Sequence, residues 1–326
     1  MSRLTREWPV DVRAEARRAE RRIRKHIRKT PLERSLVLSR ISGGDVYLKL
    51  ENLQVSGSFK VRGVLNKLLS FDRRRSSLPL ITASTGNHGA AFTHAARMLG
   101  LSGTVLVPKT ASPVKVEALR SLEANLELFG TDCVESETEA RRRAETSGMT
   151  FISPYNDPQI IGGQATVALE LEGQMDRIDS VFVPLGGGGL ASGVAGCLKA
   201  RGKAAEVIGC QPKNSPVMHD SIRAGRIVER RSLPTLSDGT AGGIEPGSIT
   251  FDLCRRLLDD IVLVEEEEIR QAVRLILERH HLLIEGAAAL AVSAFLRSPG
   301  RYQNRAVVLI LTGARIDPQS LQEILS

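Results

Sequence analysis

From residue 45 onward, the chain alternates short apolar runs of β type with segments of helical periodicity, and this pattern constrains the fold most strongly. Strands that alternate with helices pair in parallel, because each helix carries the chain back across the sheet. The predicted strands are 46–50, 80–83, 104–107, 125–129, 150–152, 180–185, 206–211, 261–264 and 306–311. Nine strands indicate two sheets, so we predict an α/β fold of open, mostly parallel sheets flanked by helices.

The strand and helix units fall into two groups. Residues 69–157 hold three or four of them and are predicted to form a small domain. Residues 1–68 and 158–326 are predicted to form a large domain. A chain of 326 residues that is 42% hydrophobic can bury two cores of this kind. Since no long linker or repeat separates the groups, we expect the domains to share a cleft.

Composition indicates where the protein works. The longest apolar runs, 286–296 and 306–311, fall well short of the roughly 20 residues that span a bilayer. Residues 1–10 contain no apolar stretch of the secretory type. The four cysteines are widely spaced, which is typical of reduced thiols. We therefore expect a cytoplasmic protein with no membrane association.

The formal net charge of +8 raises the question of a nucleic-acid partner. Much of the excess lies in a predicted basic helix over residues 13–29. No aromatic residues are interleaved with this charge, so solvated helix faces and attraction of small anions are favoured. We expect no nucleic-acid partner, although a non-catalytic protein that binds anions or nucleic acid is the alternative from another functional class.

The most informative segment is Ser-Gly-Ser-Phe-Lys-Val-Arg-Gly at residues 56–63. It follows a predicted strand, and Ser58 is placed to cap the helix that comes next. Lys60 then lies in the first helical turn, where the helix dipole and partial burial both disfavour a charged amine. A lysine with a lowered pKa suits Schiff-base chemistry, because only the neutral amine attacks an aldehyde.

Two other loops each follow a strand and open a helix. Ser-Thr-Gly-Asn-His-Gly at residues 84–89 can bind an anion through its backbone N–H groups. Four consecutive glycines at residues 186–189, followed by Leu190, let the backbone wrap closely around a phosphate. This loop is neither a Walker A motif nor a dinucleotide fingerprint, so a nucleotide site is disfavoured.

Together these segments resemble the fold type II pyridoxal-phosphate enzymes, the tryptophan synthase β class, and within it the threonine dehydratase and serine racemase family. Lys29-Thr30-Pro31-Leu32 and residues 47–54 add to the resemblance, which runs in order from about residue 27 to 317. It implies a two-domain fold and pyridoxal 5'-phosphate held by Lys60 as a Schiff base. It also implies an ammonia-lyase that converts threonine or serine to a 2-oxo acid and ammonia.

The resemblance assigns roles to particular residues. Lys60 is the general base, and the Thr85 hydroxyl stands where serine racemases carry a second catalytic serine. Residues that match the substrate-carboxylate loop are Ser84, Thr85, Gly86, Asn87 and His88, with the His88 side chain expected to be structural. Residues that match the cofactor site are Phe59, Lys60, Asn87, Gly186, Gly187, Gly188, Gly189, Leu190, Gly239, Glu285 and Thr312. Glu285 is equally compatible with an acid at the start of a helix.

Several alternatives remain open. A hydroxyl crowded by a methyl group at Thr85 favours elimination over racemisation, without excluding a serine racemase activity. Relatives also dehydrate hydroxyaspartate or compounds from hydroxyectoine breakdown, and the segment Thr312-Gly313-Ala314 departs from the family pattern. Serine racemases bind a divalent metal at the segment that corresponds to Gln211 and the residues after it. This chain lacks both metal-binding carboxylates there, so no metal is expected. We expect no C-terminal regulatory domain. We expect the chain to form a homodimer or a homotetramer.

Overall fold

In a computed structural model, which describes residues 10–72, 78–200, 202 and 205–326, ten strands form two sheets. The strands are β1 Leu32–Arg34, β2 Asp45–Lys49, β3 Leu80–Ala83, β4 Gly103–Val107, β5 Asn125–Leu128, β6 Thr150–Phe151, β7 Ser180–Pro184, β8 Glu206–Pro212, β9 Asp260–Val264 and β10 Ala306–Ile310. The larger sheet has the order β1-β2-β10-β7-β8-β9, and the smaller has the order β5-β4-β3-β6.

Thirteen helices occur in the same described ranges, and most connect successive strands. They are α1 Val12–Ile23, α2 Leu36–Ser42, α3 Lys60–Leu69, α4 Asn87–Met98, α5 Pro113–Arg120, α6 Cys133–Ser147, α7 Pro158–Gln174, α8 Gly189–Lys199, α9 Val217–Ala224, α10 Ile249–Leu257, α11 Glu266–His280, α12 Gly286–Leu296 and α13 Pro318–Leu325. None of the described helices is long and apolar enough to cross a membrane.

Strand pairing is parallel throughout the described sheets, except between β1 and β2. All residues of β7 and β10 are buried, because helices cover both faces of the larger sheet. The prediction of an α/β fold with mostly parallel, helix-flanked sheets is confirmed. All nine predicted strands are present. The additional strand, β1, is three residues long, too short to show an alternating pattern.

In sequence, the block that forms the smaller sheet interrupts the residues that form the larger one. Strands β3 to β6 all come from residues 80–151, whereas the other six strands come from the sequence before and after that block. Separate apolar clusters flank the larger sheet on its two faces and pack beneath the smaller one. The exact domain boundaries at residues 68, 69, 157 and 158 stay a prediction.

The basic helix at the N-terminus is α1, and much of its charge is paired within the chain. Arg13 contacts Glu172 at 2.9 Å, and Arg22 contacts Glu15 at 2.9 Å. The apolar side of α1, including Ala16 and Ile23, is fully buried. These pairings reduce the positive charge that is free to attract a polyanion. Residues 1–9 lie outside the described residues. They belong to the N-terminal stretch in which the sequence shows no apolar segment of the secretory type.

Candidate active site

Lys60 is the first residue of α3, and the turn before it is tied to the end of β10. Phe59 N–H donates to the Thr312 carbonyl at 3.1 Å, and Ala314 N–H donates to the Gly57 carbonyl at 3.0 Å. Gly57 has φ +79°, a backbone conformation that favours glycine. The Lys60 Nζ donates to the Pro154 carbonyl at 3.0 Å. Lys60 is therefore held at the junction of both sheets.

The amine of Lys60 has an unusually low proton affinity. Burial lowers its pKa to about 8, and the nearby Glu285 carboxyl opposes that shift only in part. A substantial fraction is then neutral at mildly alkaline pH, as nucleophilic amine chemistry requires. The prediction that Ser58 caps α3 is wrong, because Phe59 occupies the cap position and the buried Ser58 hydroxyl has no hydrogen-bond partner.

The glycines at 186–189 form a tight turn between β7 and α8. Gly188 has φ +86°. A Cβ at Gly187 would come within 2.5 Å of the Tyr155 ring, and one at Gly188 within 2.9 Å of the Cys254 sulfur. The Thr250 hydroxyl fixes the turn by donating to the Gly187 carbonyl at 2.6 Å. Because the glycines carry no side chains of their own and α8 begins at Gly189, the turn can bind an anion such as a phosphate.

The half-buried Asn87 and the buried Glu285 form a pair between the two sheets. The Asn87 amide nitrogen donates to both carboxyl oxygens of Glu285, at 2.7 and 2.9 Å. Burial raises the pKa of Glu285 to about 7, with the Asn87 hydrogen bond opposing the shift. Gly313 allows this arrangement, since a Cβ there would lie 2.5 Å from a Glu285 oxygen. Glu285 also lies immediately before α12. Its position is therefore compatible both with the cofactor site and with an acid at the start of a helix.

The 84–88 loop joins β3 to α4. Ser84, Thr85 and Gly86 are half-buried, and the Ser84 hydroxyl accepts from Gly86 N–H at 3.2 Å. The His88 ring lies 3.0 Å from both the Thr82 hydroxyl and the Ile152 carbonyl. Burial, aided by the Lys60 charge, lowers the pKa of His88 to about 3. The ring is therefore neutral, and its contacts agree with the structural role expected for it.

One cavity brings most of the predicted site residues together. It encloses about 450 Å³, including space open to solvent. Its lining contains Phe59, Lys60, Asn87, Gly186, Gly187, Gly188, Gly189, Leu190, Gly239, Glu285 and Thr312. The other predicted residues, Ser84, Thr85, Gly86 and His88, are outside this lining. Sequence reasoning missed four lining residues, namely Tyr155, Pro184, Thr240 and Ala287.

Tyr155 is the most important of the missed residues, because its ring packs against Gly187 and its Cα and Cβ pack against Gly189. It lies in Ser153-Pro154-Tyr155-Asn156, directly after β6. The carboxyl ends of parallel strands commonly carry ligand contacts. A single aromatic residue at such a strand end was the signal that could have identified it.

The cavity has groups that match the three functional parts of pyridoxal phosphate. Lys60 offers an amine to the aldehyde, and the turn at residues 186–189 offers backbone N–H groups to the phosphate. The Thr312 hydroxyl is buried without a hydrogen-bond partner, as is the Asn87 amide oxygen. Buried polar atoms are rarely left unpaired. These two atoms are available to a polar ring, so the residues present fit the cofactor.

No cluster of three or more His, Cys, Asp or Glu side chains that could bind a metal occurs among the described residues. At the position where a metal site was considered, the Gln211 side-chain oxygen accepts from His219 N–H at 3.0 Å.

A mostly parallel α/β fold, in which a buried amine and a glycine turn line one cavity, is typical of the class of cofactor-dependent enzyme expected from the sequence. Residues 23–313 match the family of pyridoxal-phosphate dependent enzymes. The chain belongs to this family, its cofactor is pyridoxal phosphate, and it is a lyase of the threonine dehydratase and serine racemase branch.

Relatives of known name cover nearly the whole chain. An L-threonine ammonia-lyase of Thermotoga maritima is 37% identical over 94% of this chain and 76% of its own length. The catabolic L-threonine dehydratase TdcB of Escherichia coli is 38% identical over 94% of this chain and 93% of its own length.

Solved structures agree with the sequence relatives. The processed threonine deaminase isoform 2 of Solanum lycopersicum superposes with a TM-score of 0.91 at 30% identity, covering 96% of this chain and 86% of that one. A serine racemase of Dictyostelium discoideum superposes with a TM-score of 0.86 at 31% identity, covering 94% and 99%. The fold is thus shared by enzymes named for elimination and for racemisation.

Replacing Gly187 by alanine is expected to weaken cofactor binding. The new Cβ would overlap the Tyr155 ring, so the ring or the glycine turn must move. Overpacking of this kind costs about 1–3 kcal/mol, which corresponds to a roughly 5- to 150-fold rise in the Kd for pyridoxal phosphate. Titration of the apoprotein, followed by visible absorbance, measures it. Gly173→Ala is the control, because a Cβ there meets open space; equal Kd values for both variants would contradict the prediction.

Proposed function

We propose that this chain removes water and ammonia from a small β-hydroxy amino acid, with threonine or serine as the substrate. The proposal depends chiefly on one observation, the partly neutral amine of Lys60 at a cavity that faces the glycine turn. The names of the most similar relatives, threonine ammonia-lyases and dehydratases, support it.

Each part of the site has a distinct task in this reaction. When bound, pyridoxal phosphate supplies an electron sink for the negative charge that develops at the substrate Cα. Residues 186–189 and Leu190 would hold its phosphate, Phe59 and Gly239 would lie beside it, Thr312 would pair with its ring nitrogen, and Asn87, oriented by Glu285, would pair with its phenolic oxygen. Lys60 removes the proton from Cα as general base. The backbone N–H groups of residues 84–88 bind the substrate carboxylate.

Elimination is the main reaction in this proposal. Racemisation needs a second acid-base group on the face of Cα opposite to Lys60, and Thr85 is the residue assigned to that place. Its hydroxyl is crowded by its own methyl group. This crowding favours release of a 2-oxo acid over inversion at Cα.

The charges around the cavity favour a substrate with an uncharged side chain. Among the described lining residues, Lys60 is the only cation, and Glu285 is a carboxyl. A second substrate carboxylate, as in hydroxyaspartate, would find no additional cation there. An uncharged hydroxylated product of hydroxyectoine breakdown is compatible with this lining and remains an alternative to threonine and serine.

An ammonia-release screen over β-hydroxy amino acids tests the proposal. We expect threonine and serine to give ammonia together with 2-oxobutanoate and pyruvate, and alanine, which lacks the leaving group, to give none. Chiral chromatography of the residual amino acid separates elimination from racemisation. Inversion of serine without ammonia release would reject the lyase assignment.

We further propose that the enzyme works in the cytoplasm as a homodimer or homotetramer, without a nucleic-acid partner. The four free cysteines, three of them buried, suit a reducing compartment. Sedimentation equilibrium tests the subunit number.

A further inference from the structure

The loop formed by residues 238–245 lines the cavity and is tied to the helices of the smaller sheet. Gly239 and Thr240 belong to the cavity lining. A Cβ on Gly186 would lie 3.0 Å from the Thr240 backbone, which shows how closely this loop approaches the glycine turn. Its position therefore determines the shape of the cavity.

Two cationic side chains reach this loop from neighbouring helices. Lys115 of α5 contacts Asp238 at 2.5 Å, and Arg141 of α6 contacts Glu245 at 2.6 Å. These contacts hold the first and last residues of the loop. Both pairs are partly exposed, with the Lys115 and Arg141 side chains each 33% accessible.

The second pair continues directly into the cofactor site. Glu245 N–H donates to the Tyr155 hydroxyl at 2.9 Å. Tyr155 fills the space beside both glycines, with its ring next to Gly187 and its Cα and Cβ next to Gly189. Arg141 is thus connected through Glu245 and Tyr155 to the backbone that is assigned to the phosphate.

We propose that Lys115 and Arg141 are positioning residues, which hold the 238–245 loop and Tyr155 against the bound cofactor and so slow its release. They touch neither cofactor nor substrate. Their effect is on the retention of the cofactor and on substrate affinity, and not on proton removal at Cα. This inference rests on the proposed placement of pyridoxal phosphate in this cavity.

The test compares three double variants of the holoenzyme. Lys115→Met with Arg141→Met removes both charges but keeps the apolar stems. Arg120→Met with Arg142→Met is the matched control on the same two helices. Arg120 pairs with Glu117 and Arg142 pairs with Glu139, each within its own helix. Lys115→Arg with Arg141→Lys retains the charges. Release is followed as loss of the protein-bound visible band after dilution into inorganic phosphate.

The charge-removing variant should release the cofactor roughly 3- to 30-fold faster than the control, and KM should rise while kcat changes little. The charge-retaining variant should resemble wild type. Added salt should speed release from wild type but not from the charge-removing variant, since exposed ion pairs are screened.

Release rates that are indistinguishable between the charge-removing variant and the control would overturn the inference while leaving the proposed function intact. A fall in kcat without a change in release would also overturn it. A wild-type protein without the visible band would overturn the proposed function, and this inference with it.

Discussion

Lys60→Ala is expected to abolish ammonia release, with kcat falling at least roughly a thousandfold. The substitution removes the amine that we propose both attaches the cofactor and takes the Cα proton. Nothing else in the described cavity lining can replace it, because Lys60 is the only amine there. The visible absorbance of the protein-bound cofactor should disappear with the activity.

The matched control for this prediction is Lys67→Met. Lys67 lies on the same helix, but its amine pairs with Asp157 at 2.5 Å and is not part of the cavity lining. This variant should keep the absorbance band and most of the activity. A Lys60→Ala enzyme with kcat within about tenfold of wild type would exclude Lys60 as the general base.

Glu170→Ala is expected to cause the largest loss of stability, about 3–5 kcal/mol. One carboxyl oxygen of Glu170 accepts from Arg62 at 2.9 Å, and the other accepts from Lys49 at 2.6 Å. Glu51 contacts the other side of Arg62 at 2.7 Å. Lys49 and Arg62 are fully buried, so removal of Glu170 leaves cationic charge inside the protein without adequate compensation.

Equilibrium unfolding in urea, with Glu117→Ala as the surface control, measures this loss. Glu117 is exposed and pairs weakly with Arg120 at 3.8 Å, so its variant should change stability by less than about 0.5 kcal/mol. Equal unfolding midpoints for the two variants would show that the buried cluster does not stabilise the fold.

The same cluster gives stability a defined pH dependence. Burial alone would raise the pKa of Glu170, but Arg62 and Lys49 outweigh it and hold the pKa at about 2. A carboxyl whose pKa is lowered by folding stabilises the protein above its unfolded pKa of 4.5, and this contribution is lost as the pH falls from there toward 2. Because Arg62 follows Lys60 by two residues on α3, the cluster also anchors the helix that carries the Lys60 amine.

Local sequence patterns were sufficient to predict nine of the ten described strands and most of the residues that line the cavity. Apolar strands and glycine-rich strand-to-helix loops each occupy a few consecutive residues, so Lys60, Asn87 and the glycines at 186–189 could be identified singly. Their meeting in one cavity follows from the carboxyl ends of parallel strands facing a common cleft. Their individual roles toward cofactor and substrate stay predictions.

The features that sequence reasoning missed depend on contacts between distant residues. Lys49 and Glu170 are separated by 121 positions, and no local pattern marks either one as part of a buried ion cluster. Tyr155 lines the cavity only because Gly187 leaves room for its ring and Gly189 leaves room for its backbone and Cβ. The strand β1 was missed because it is stabilised by pairing with β2, not by its own composition.

The central claim is that Lys60 carries the cofactor, and borohydride reduction of the purified protein tests it most directly. Reduction should eliminate the violet-region absorbance and leave the pyridoxyl group attached to the peptide that contains Lys60. Label on a different lysine would contradict the claim. Unlabelled protein that binds DNA in a salt-sensitive manner would instead favour the non-catalytic alternative.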